Sequence, residues 1–212
     1  MITTIIFDFD GTLADTLPFV EKKLFKMLKE EKIKITYKQM IEDFRSKQFS
    51  ELMNLWKISW LKLPIILKKI KQSQIDLYDE IGNIKIFPGV KKLLYKLKKK
   101  GFTLTILSSN LENNISKFLK INNLNIFEKI HAGSQILGKS KAINEFIKQN
   151  NFNKDEVLYI GDEIRDIEAC KKSGIRIIGV GWGMHKATIL NNHGADFVVN
   201  KPSDIFKIIS RQ

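Results

Sequence analysis

The chain has 212 residues, 43% of them apolar, with 36 Lys and Arg against 23 Asp and Glu, a formal net charge of +13. This length and composition fit one large domain, or one domain carrying a smaller one, and exclude a disordered chain. Cys170 is the only cysteine, which excludes an intramolecular disulfide and is typical of a cytoplasmic protein. The apolar runs are shorter than the roughly 18–20 residues of a spanning helix, and Asp8 and Asp10 interrupt the first of them, so we expect neither a membrane span nor a signal peptide.

The positive charge is spread along the chain, with a net of +6 in residues 16–86 and +7 in the remainder. The longest basic run, Lys98 to Lys100, ends a predicted helix just before Gly101, where lysines complement the helix dipole. The chain shows no basic stripe interleaved with aromatic residues. The charge pattern therefore does not favour nucleic-acid binding.

The first predicted element is a buried strand, Thr4–Phe9, whose apolar run is interrupted near its end by Asp8 and is followed by Asp10. The next stretch has no glycine between Gly11 and Gly82, and its apolar residues recur at three- and four-residue spacings. That spacing predicts four helices, at Phe19–Glu31, Lys38–Phe44, Ser50–Lys62 and Ile65–Ile81. Trp56 and Trp60, four apart on the third helix, are expected to pack within this segment or against the core.

The rest of the chain alternates short apolar runs with helical patterns. Strands are predicted at Phe102–Leu107, Val157–Ile160, Ile175–Val180 and Phe197–Val199, with Lys129–Ala132 as a weaker candidate. Helices are predicted at Val90–Lys100, Leu111–Ile121, Ser140–Asn150 and Arg165–Ser173. Such alternation predicts an α/β fold, a parallel sheet with helices on both faces, formed by residues 1–15 and 87–212 and interrupted by a helical insertion, residues 16–86.

Asp8 and Asp10 follow the first strand, where alternation along the strand sends both side chains to one side. Ligands bind at the carboxyl ends of strands in such sheets. Two neighbouring carboxylates are costly to desolvate without a cation, and Mg²⁺ prefers such oxygen ligands. An ordinary acidic turn before a glycine is the alternative at this point.

A second pair of aspartates follows another buried strand. Asp162 lies at the end of the strand Val157–Ile160, and Asp166 comes four residues later, so both can face one site across a helical turn. Capping of the helix is the alternative, because aspartate is favourable at a helix N-terminus. Two strands of one chain that both end in paired aspartates favour a metal site.

Polar groups that suit an anion follow the remaining core elements. Ser108, Ser109 and Asn110 lie between a strand and a helix, where a hydroxyl and backbone N–H groups can bind phosphate. Ser109 or Asn110 could instead cap that helix. Lys139 precedes the helix Ser140–Asn150 and could neutralise a phosphate, and Lys141 competes with it for this role.

These residues resemble, in order, the four motifs of the haloacid-dehalogenase-like hydrolases. The matching residues are Asp8-Phe9-Asp10-Gly11-Thr12, then Ser108, then Lys139, then Gly161-Asp162 with Asp166. The spacing is similar to that of the phosphoglycolate-phosphatase-like branch, and the resemblance covers nearly the whole chain. It implies a Rossmann-like parallel sheet core with a helical cap, residues 16–86, inserted after the first strand.

The resemblance also implies a role for each acidic residue. Asp8 would attack phosphorus and form an aspartyl-phosphate, and Asp10 would protonate the leaving group and later activate water. Mg²⁺ would be held by the Asp8 carboxylate, the Asp10 backbone carbonyl and Asp162, with support from Asp166.

Ser108 and Lys139 would stabilise the phosphoryl oxygens, and Lys139 fits the family pattern better than Lys141 because it precedes the helix. The family members that cleave carbon–halogen bonds need no leaving-group acid, so the presence of Asp10 favours phosphoryl transfer.

The implied function is that of a Mg²⁺-dependent phosphatase acting on a small phosphorylated metabolite of the phosphoglycolate kind. Two alternatives stay open: a phosphatase of nucleotides or nucleic-acid ends, and a binding or regulatory member of the family without catalysis. The insertion carries no motif that identifies the substrate or an oligomeric state.

Overall fold

The computed structural model describes residues 1–133 and 138–210. Within them six strands form one parallel sheet in the order β3-β2-β1-β4-β5-β6. The strands are β1 (Thr4–Phe7), β2 (Thr103–Leu107), β3 (Lys129–His131), β4 (Val157–Gly161), β5 (Arg176–Val180) and β6 (Phe197–Val199). The predicted α/β class and its parallel sheet are confirmed, and the weaker candidate strand is the edge strand β3.

The central strands are buried on both faces, and their alternate side chains contribute to two separate cores. Ile5 and Phe7 of β1 belong to one apolar cluster, whereas Ile6 belongs to the cluster on the other face. Tyr159 of β4 is fully buried in the second cluster. Because helices cover both faces, such strands are continuous apolar runs, which is what made them recognisable in the sequence.

The insertion between β1 and the rest of the sheet is helical. Its helices are α1 (Leu17–Glu30), α2 (Tyr37–Phe44), α3 (Phe49–Leu55) and α4 (Leu63–Glu80). They enclose an apolar cluster of their own, built around Leu28, Met40 and Met53. The chain leaves and rejoins the core at adjacent points, because the N–H of Asp15 donates to the carbonyl of Lys85 at 2.9 Å.

The predicted helix Ser50–Lys62 is wrong. Helix α3 ends at Leu55, Lys57 has a positive φ of 52°, and a short 3₁₀ turn at Trp60–Lys62 leads into α4. The apolar spacing continued across the break because Trp56 and Ile58 both fold back into the cluster of the insertion. Trp56 packs there as expected, whereas Trp60 lies on the separate turn, about half exposed (49%), with its ring edge-to-face against Phe49 of the insertion.

Six further helices flank the sheet within the described residues. They are α5 (Val90–Lys99), α6 (Glu112–Ile121), α7 (Lys139–Gln149), α8 (Ile164–Ser173), α9 (Ala187–Asn192) and α10 (Pro202–Ile209). The first four match predicted helices to within one or two residues, and α9 and α10 were missed. Among the described residues, no helix combines the length and the apolar character needed to cross a membrane.

Candidate active site

The predicted polar residues meet at the carboxyl edge of the sheet. Asp8 follows β1, Ser108 follows β2 and Asp162 follows β4, and these three strands are adjacent and parallel. In this register Phe7 pairs with Ile106 and Ile160, so the residues that follow the three strands lie close together.

Three carboxylates form a compact, buried cluster at this edge. Asp8, Asp162 and Asp166 each offer an oxygen, and these oxygens all lie within 4.8 Å of one another. The side chain of Lys139 enters the cluster: its Nζ lies 2.7 Å from Oδ2 of Asp8 and also contacts Asp166. The structure thus brings together four residues that the sequence analysis selected from three separate segments.

The electrostatics of the cluster follow from its burial and from its excess of carboxylates over positive groups. Burial raises the pKa of Asp8 to about 7, with the Lys139 ammonium opposing the shift and the Asp166 carboxylate adding to it. Burial also raises the pKa of Asp162 well above its usual range, as do the neighbouring charges of Glu163 and Asp8. A further cation in this cluster would favour the ionised carboxylates.

Lys139 responds in the opposite direction. Burial alone would lower its pKa, but the carboxylates of Asp166 and Asp8 outweigh this and raise the pKa above its ordinary value. The ammonium group therefore remains charged throughout the physiological range. It also lies over the ring of the buried Tyr159, 5.3 Å from the centroid.

The structure distinguishes between the two candidate lysines. Lys139 is buried within the cluster, whereas the side chain of Lys141 is 82% exposed and lies 3.8 Å from Glu145 one turn along the helix. Lys139 is the first residue of α7, so the expectation that it precedes the helix is wrong by one residue. At this position its side chain can still extend back towards the strand ends.

Asp162 is held by the loop after β1 and by the loop after β5. Its Oδ1 accepts from the Thr12 hydroxyl at 2.7 Å, and its Oδ2 accepts from the N–H of Met184 at 2.7 Å. A side chain at Gly11, which has a φ of +73°, or at Gly183 would overlap Asp162. Glycine is therefore required at both positions so that the two loops can approach this carboxylate.

Asp166 has two functions at once. It occupies the N3 position of α8, where its Oδ2 accepts from the N–H of Glu163 at 3.1 Å in a capping box. Its other oxygen contacts Lys139. Helix capping and membership of the carboxylate cluster are therefore compatible for this residue.

Asp10 has a different environment from Asp8, although the two lie in one loop. Its carboxylate oxygens accept from Nδ2 of Asn110 at 2.9 and 3.0 Å. Burial raises the pKa of Asp10, and the Thr16 hydroxyl and the Asn110 amide oppose the shift. Its side chain is not part of the three-carboxylate cluster.

The segment after β2 is only partly available to an anion. Ser108 is buried, and its hydroxyl accepts from the N–H of Asn110 at 3.1 Å. The side chain of Asn110 is engaged by Asp10 and by the N–H of Leu111. Leu111 is the N-cap residue of α6 and no side chain caps that helix, so the alternative that Ser109 or Asn110 caps it is wrong. Phosphate binding by Ser108, Ser109 and Asn110 stays a prediction.

Comparison with known proteins identifies the family to which the chain belongs. The haloacid dehalogenase-like hydrolases match the chain over residues 5–180. The chain belongs to this family. A phosphoglycolate phosphatase from Synechococcus elongatus is 30% identical over 98% of this chain and 97% of its own. A pyrophosphatase from Bacillus mycoides is 22% identical over 99% of this chain and 98% of its own.

The fold of this hydrolase is similar to that of a predicted phosphatase from Clostridium acetobutylicum. The TM-score is 0.82 at 22% identity, and the match covers 100% of both chains. Family and relatives together make this haloacid dehalogenase-like hydrolase a phosphatase.

Several residues that connect the insertion of the hydrolase to the site were not predicted from the sequence. Gln74 of α4 donates from Nε2 to the carbonyl of Ser109 at 3.1 Å, and Asn114 of α6 donates to the carbonyl of Gln74 at 2.7 Å. On the other side, Nε2 of the buried His185 lies 3.4 Å from the carbonyl of Lys47. The polar character of these residues is the one sequence signal that could have indicated their role.

Proposed function

We propose that this phosphatase is Mg²⁺-dependent and hydrolyses a small phosphomonoester of the phosphoglycolate kind through an aspartyl-phosphate. The observation that carries the proposal is the pairing of two aspartates in one loop with different partners. Asp8 lies in the carboxylate cluster beside Lys139, and Asp10 lies outside that cluster and accepts from the amide of Asn110. Two carboxyl groups of one loop, one beside an ammonium group and one held by an amide, suit a nucleophile and an acid–base group.

The reaction then has two steps. In the first, an oxygen of Asp8 forms a bond to phosphorus, the bond to the leaving oxygen breaks, and Asp10 gives that oxygen its proton. In the second, water attacks the phosphorus of the aspartyl-phosphate and loses a proton to Asp10, which restores the carboxylate of Asp8. Ser108 and Lys139 bind the phosphoryl oxygens, with backbone N–H groups of the segment Ser109–Asn110.

The acidic cluster fits a divalent metal ion. It has more carboxylates than positive groups, all buried, and their oxygens lie close enough for shared coordination. We propose that Mg²⁺ is held by the carboxylates of Asp8 and Asp162 and by the backbone carbonyl of Asp10, with Asp166 supporting. When bound, the ion would neutralise charge on the phosphoryl group.

We further propose that residues 1–15 and 87–212 are the catalytic core and that residues 16–86 are a cap over its site. Two observations support this division: the separate apolar cluster of the insertion and the adjacent connections near Asp15 and Lys85. The hydrogen bond from Gln74 to the carbonyl of Ser109 also supports it, because it joins α4 to the segment after β2. A cap so close to the strand ends favours a small substrate, and the single Cys170 is consistent with a cytoplasmic enzyme.

The test is a substrate panel with and without Mg²⁺. It contains 2-phosphoglycolate, inorganic pyrophosphate, a nucleoside monophosphate and a 5′-phosphorylated oligonucleotide. We expect Mg²⁺-dependent release of phosphate, fastest from 2-phosphoglycolate and abolished by Asp8→Asn. Asp155→Asn, at an exposed aspartate outside the site, is the matched control and should leave turnover unchanged.

Different outcomes would overturn different parts of the proposal. Preference for pyrophosphate or for the nucleic-acid substrates would refute the assigned substrate class. Full turnover by Asp8→Asn would refute the nucleophile. Binding of phosphate without turnover of any substrate in the panel would support a non-catalytic member of the family.

A further inference from the structure

A chain of side-chain amides joins Asp10 to helix α4 of the insertion. Asn110 donates from Nδ2 to both oxygens of Asp10 and accepts at Oδ1 from Nδ2 of Asn114, 2.7 Å away. The same Nδ2 of Asn114 donates to the carbonyl of Gln74 in α4, also at 2.7 Å. Two side chains thus join Asp10 to helix α4.

The surroundings fix the orientation of both amides. The N–H of Leu111 is a donor only, and it lies 2.7 Å from Asn110, so the acceptor Oδ1 must face it and Nδ2 must face Asp10. Asn114 then meets two carbonyl oxygens, of Asn110 and Gln74, and must present its donor to both. If either amide were rotated by about 180°, a donor would face a donor or an acceptor would face an acceptor.

The burial of this chain makes it unusual for a simple packing contact. Asn114 is 0% exposed and Asn110 is 1% exposed. Oδ1 of Asn114 has no hydrogen-bond partner among the described residues, which is unfavourable for a buried polar group. An apolar residue would avoid that cost, so packing between α4 and α6 does not account for an asparagine at this position.

A second hydrogen bond joins α4 and α6 and can be compared with that of Asn114. One turn beyond Asn114, Lys117 donates to the carbonyl of Tyr78 at 2.8 Å. Both contacts join α6 to a main-chain carbonyl of α4, but the Lys117 contact is exposed and does not lead to Asp10. Of these two contacts, the buried one leads through Asn110 to the acid–base group.

We propose that Asn114 is a positioning residue that holds Asp10, by way of Asn110, in its proton-transferring orientation and is itself held by α4. This inference rests on the proposed role of Asp10. It predicts that proton transfer to the leaving group depends on contact between the insertion and α6. When the leaving group needs no proton, phosphoryl transfer to Asp8 does not depend on this contact between the insertion and α6.

The test compares two aryl phosphates. p-Nitrophenolate leaves without a proton, whereas phenolate is a much stronger base and needs one. The parameter is kcat/KM, because it reports on the steps up to release of the leaving group and excludes hydrolysis of the aspartyl-phosphate. For Asn114→Leu we expect a loss of at least about tenfold with phenyl phosphate and less than about threefold with p-nitrophenyl phosphate.

Two further variants make the test specific. Lys117→Met removes the exposed contact of the same interface and should change kcat/KM equally, and little, for both substrates. Asn114→Ser keeps a hydroxyl donor and should give a smaller difference in the same direction, which covers the case in which the leucine variant does not fold. Thermal unfolding of each variant checks that the fold is retained.

The proposal is overturned by an equal loss with both substrates in the Asn114 variants, or by the same selective loss in Lys117→Met. The failure of the proposed function has another signature, because full activity of Asp8→Asn would refute the nucleophile whatever the Asn114 variants show.

Discussion

Asp8 and Asp10 are separated by one residue in one loop, yet the structure surrounds them differently. Asp8 shares a buried cluster with two carboxylates and the ammonium of Lys139, and Asp10 is held by the neutral amide of Asn110. Burial raises the pKa of both carboxyl groups. The charged surroundings can be altered by a metal ion or a phosphate, whereas the amide chain responds to the position of the insertion. Two aspartates of one loop thus differ in their chemistry because their neighbours differ.

The largest difference between the two aspartates is expected from Asp10→Asn. Loss of the acid–base group should lower kcat/KM with phenyl phosphate by about 10²–10⁴-fold and much less with p-nitrophenyl phosphate. Steady-state kinetics with both esters measures this, and a pre-steady-state burst of p-nitrophenolate should appear because hydrolysis of the aspartyl-phosphate is slowed. An equal loss with both esters would remove the distinction between the two aspartates.

The next effect concerns the charged half of the comparison. Lys139→Met removes the ammonium that contacts Asp8 and Asp166, and we expect kcat to fall by about 10²–10³-fold because a buried phosphoryl-binding charge is lost. Lys141→Met is the matched control, since that side chain is largely exposed, and its kcat should stay within about twofold of the wild type. Similar losses in both variants would contradict the role of Lys139.

The smallest effect is on stability and depends on pH. The folded-state pKa of Asp8, about 7, lies above the ordinary value of 3.8, so the metal-free protein should lose stability as pH rises between these values. Mg²⁺ binds ionised carboxylates, so it should raise Tm by several degrees more at about pH 8 than at about pH 5. Thermal unfolding in EDTA or Mg²⁺ measures this, and an equal shift at both pH values would contradict it.

The sheet and the acidic residues of the site were predictable from local patterns. Continuous apolar runs gave β1 and β4, and the aspartates that follow them had to meet because the carboxyl ends of parallel strands share one edge. The choice between Lys139 and Lys141 needed the structure, since two residues of spacing decide which side chain enters the cluster.

Other features had no local signal. The break after Leu55 depends on Lys57 at positive φ, a conformation usually marked by glycine, and on long-range packing of Ile58. The contact of Asn114 depends on Gln74, which is 40 residues away in sequence and touches it only through the packing of α4 on α6.

Helix α10, in contrast, has a local signal that could have predicted it, because Pro202 begins it.

The central claim is that Asp8, and not Asp10, carries the phosphoryl group. It is tested most directly by acid quenching of the Asp10→Asn variant during turnover of p-nitrophenyl phosphate, followed by peptide mass spectrometry. We expect one added phosphoryl group on the N-terminal peptide, at Asp8, and none in the Asp8→Asn protein. A phosphoryl group on another residue, or no phosphorylated protein in a variant that still shows a burst, would contradict it.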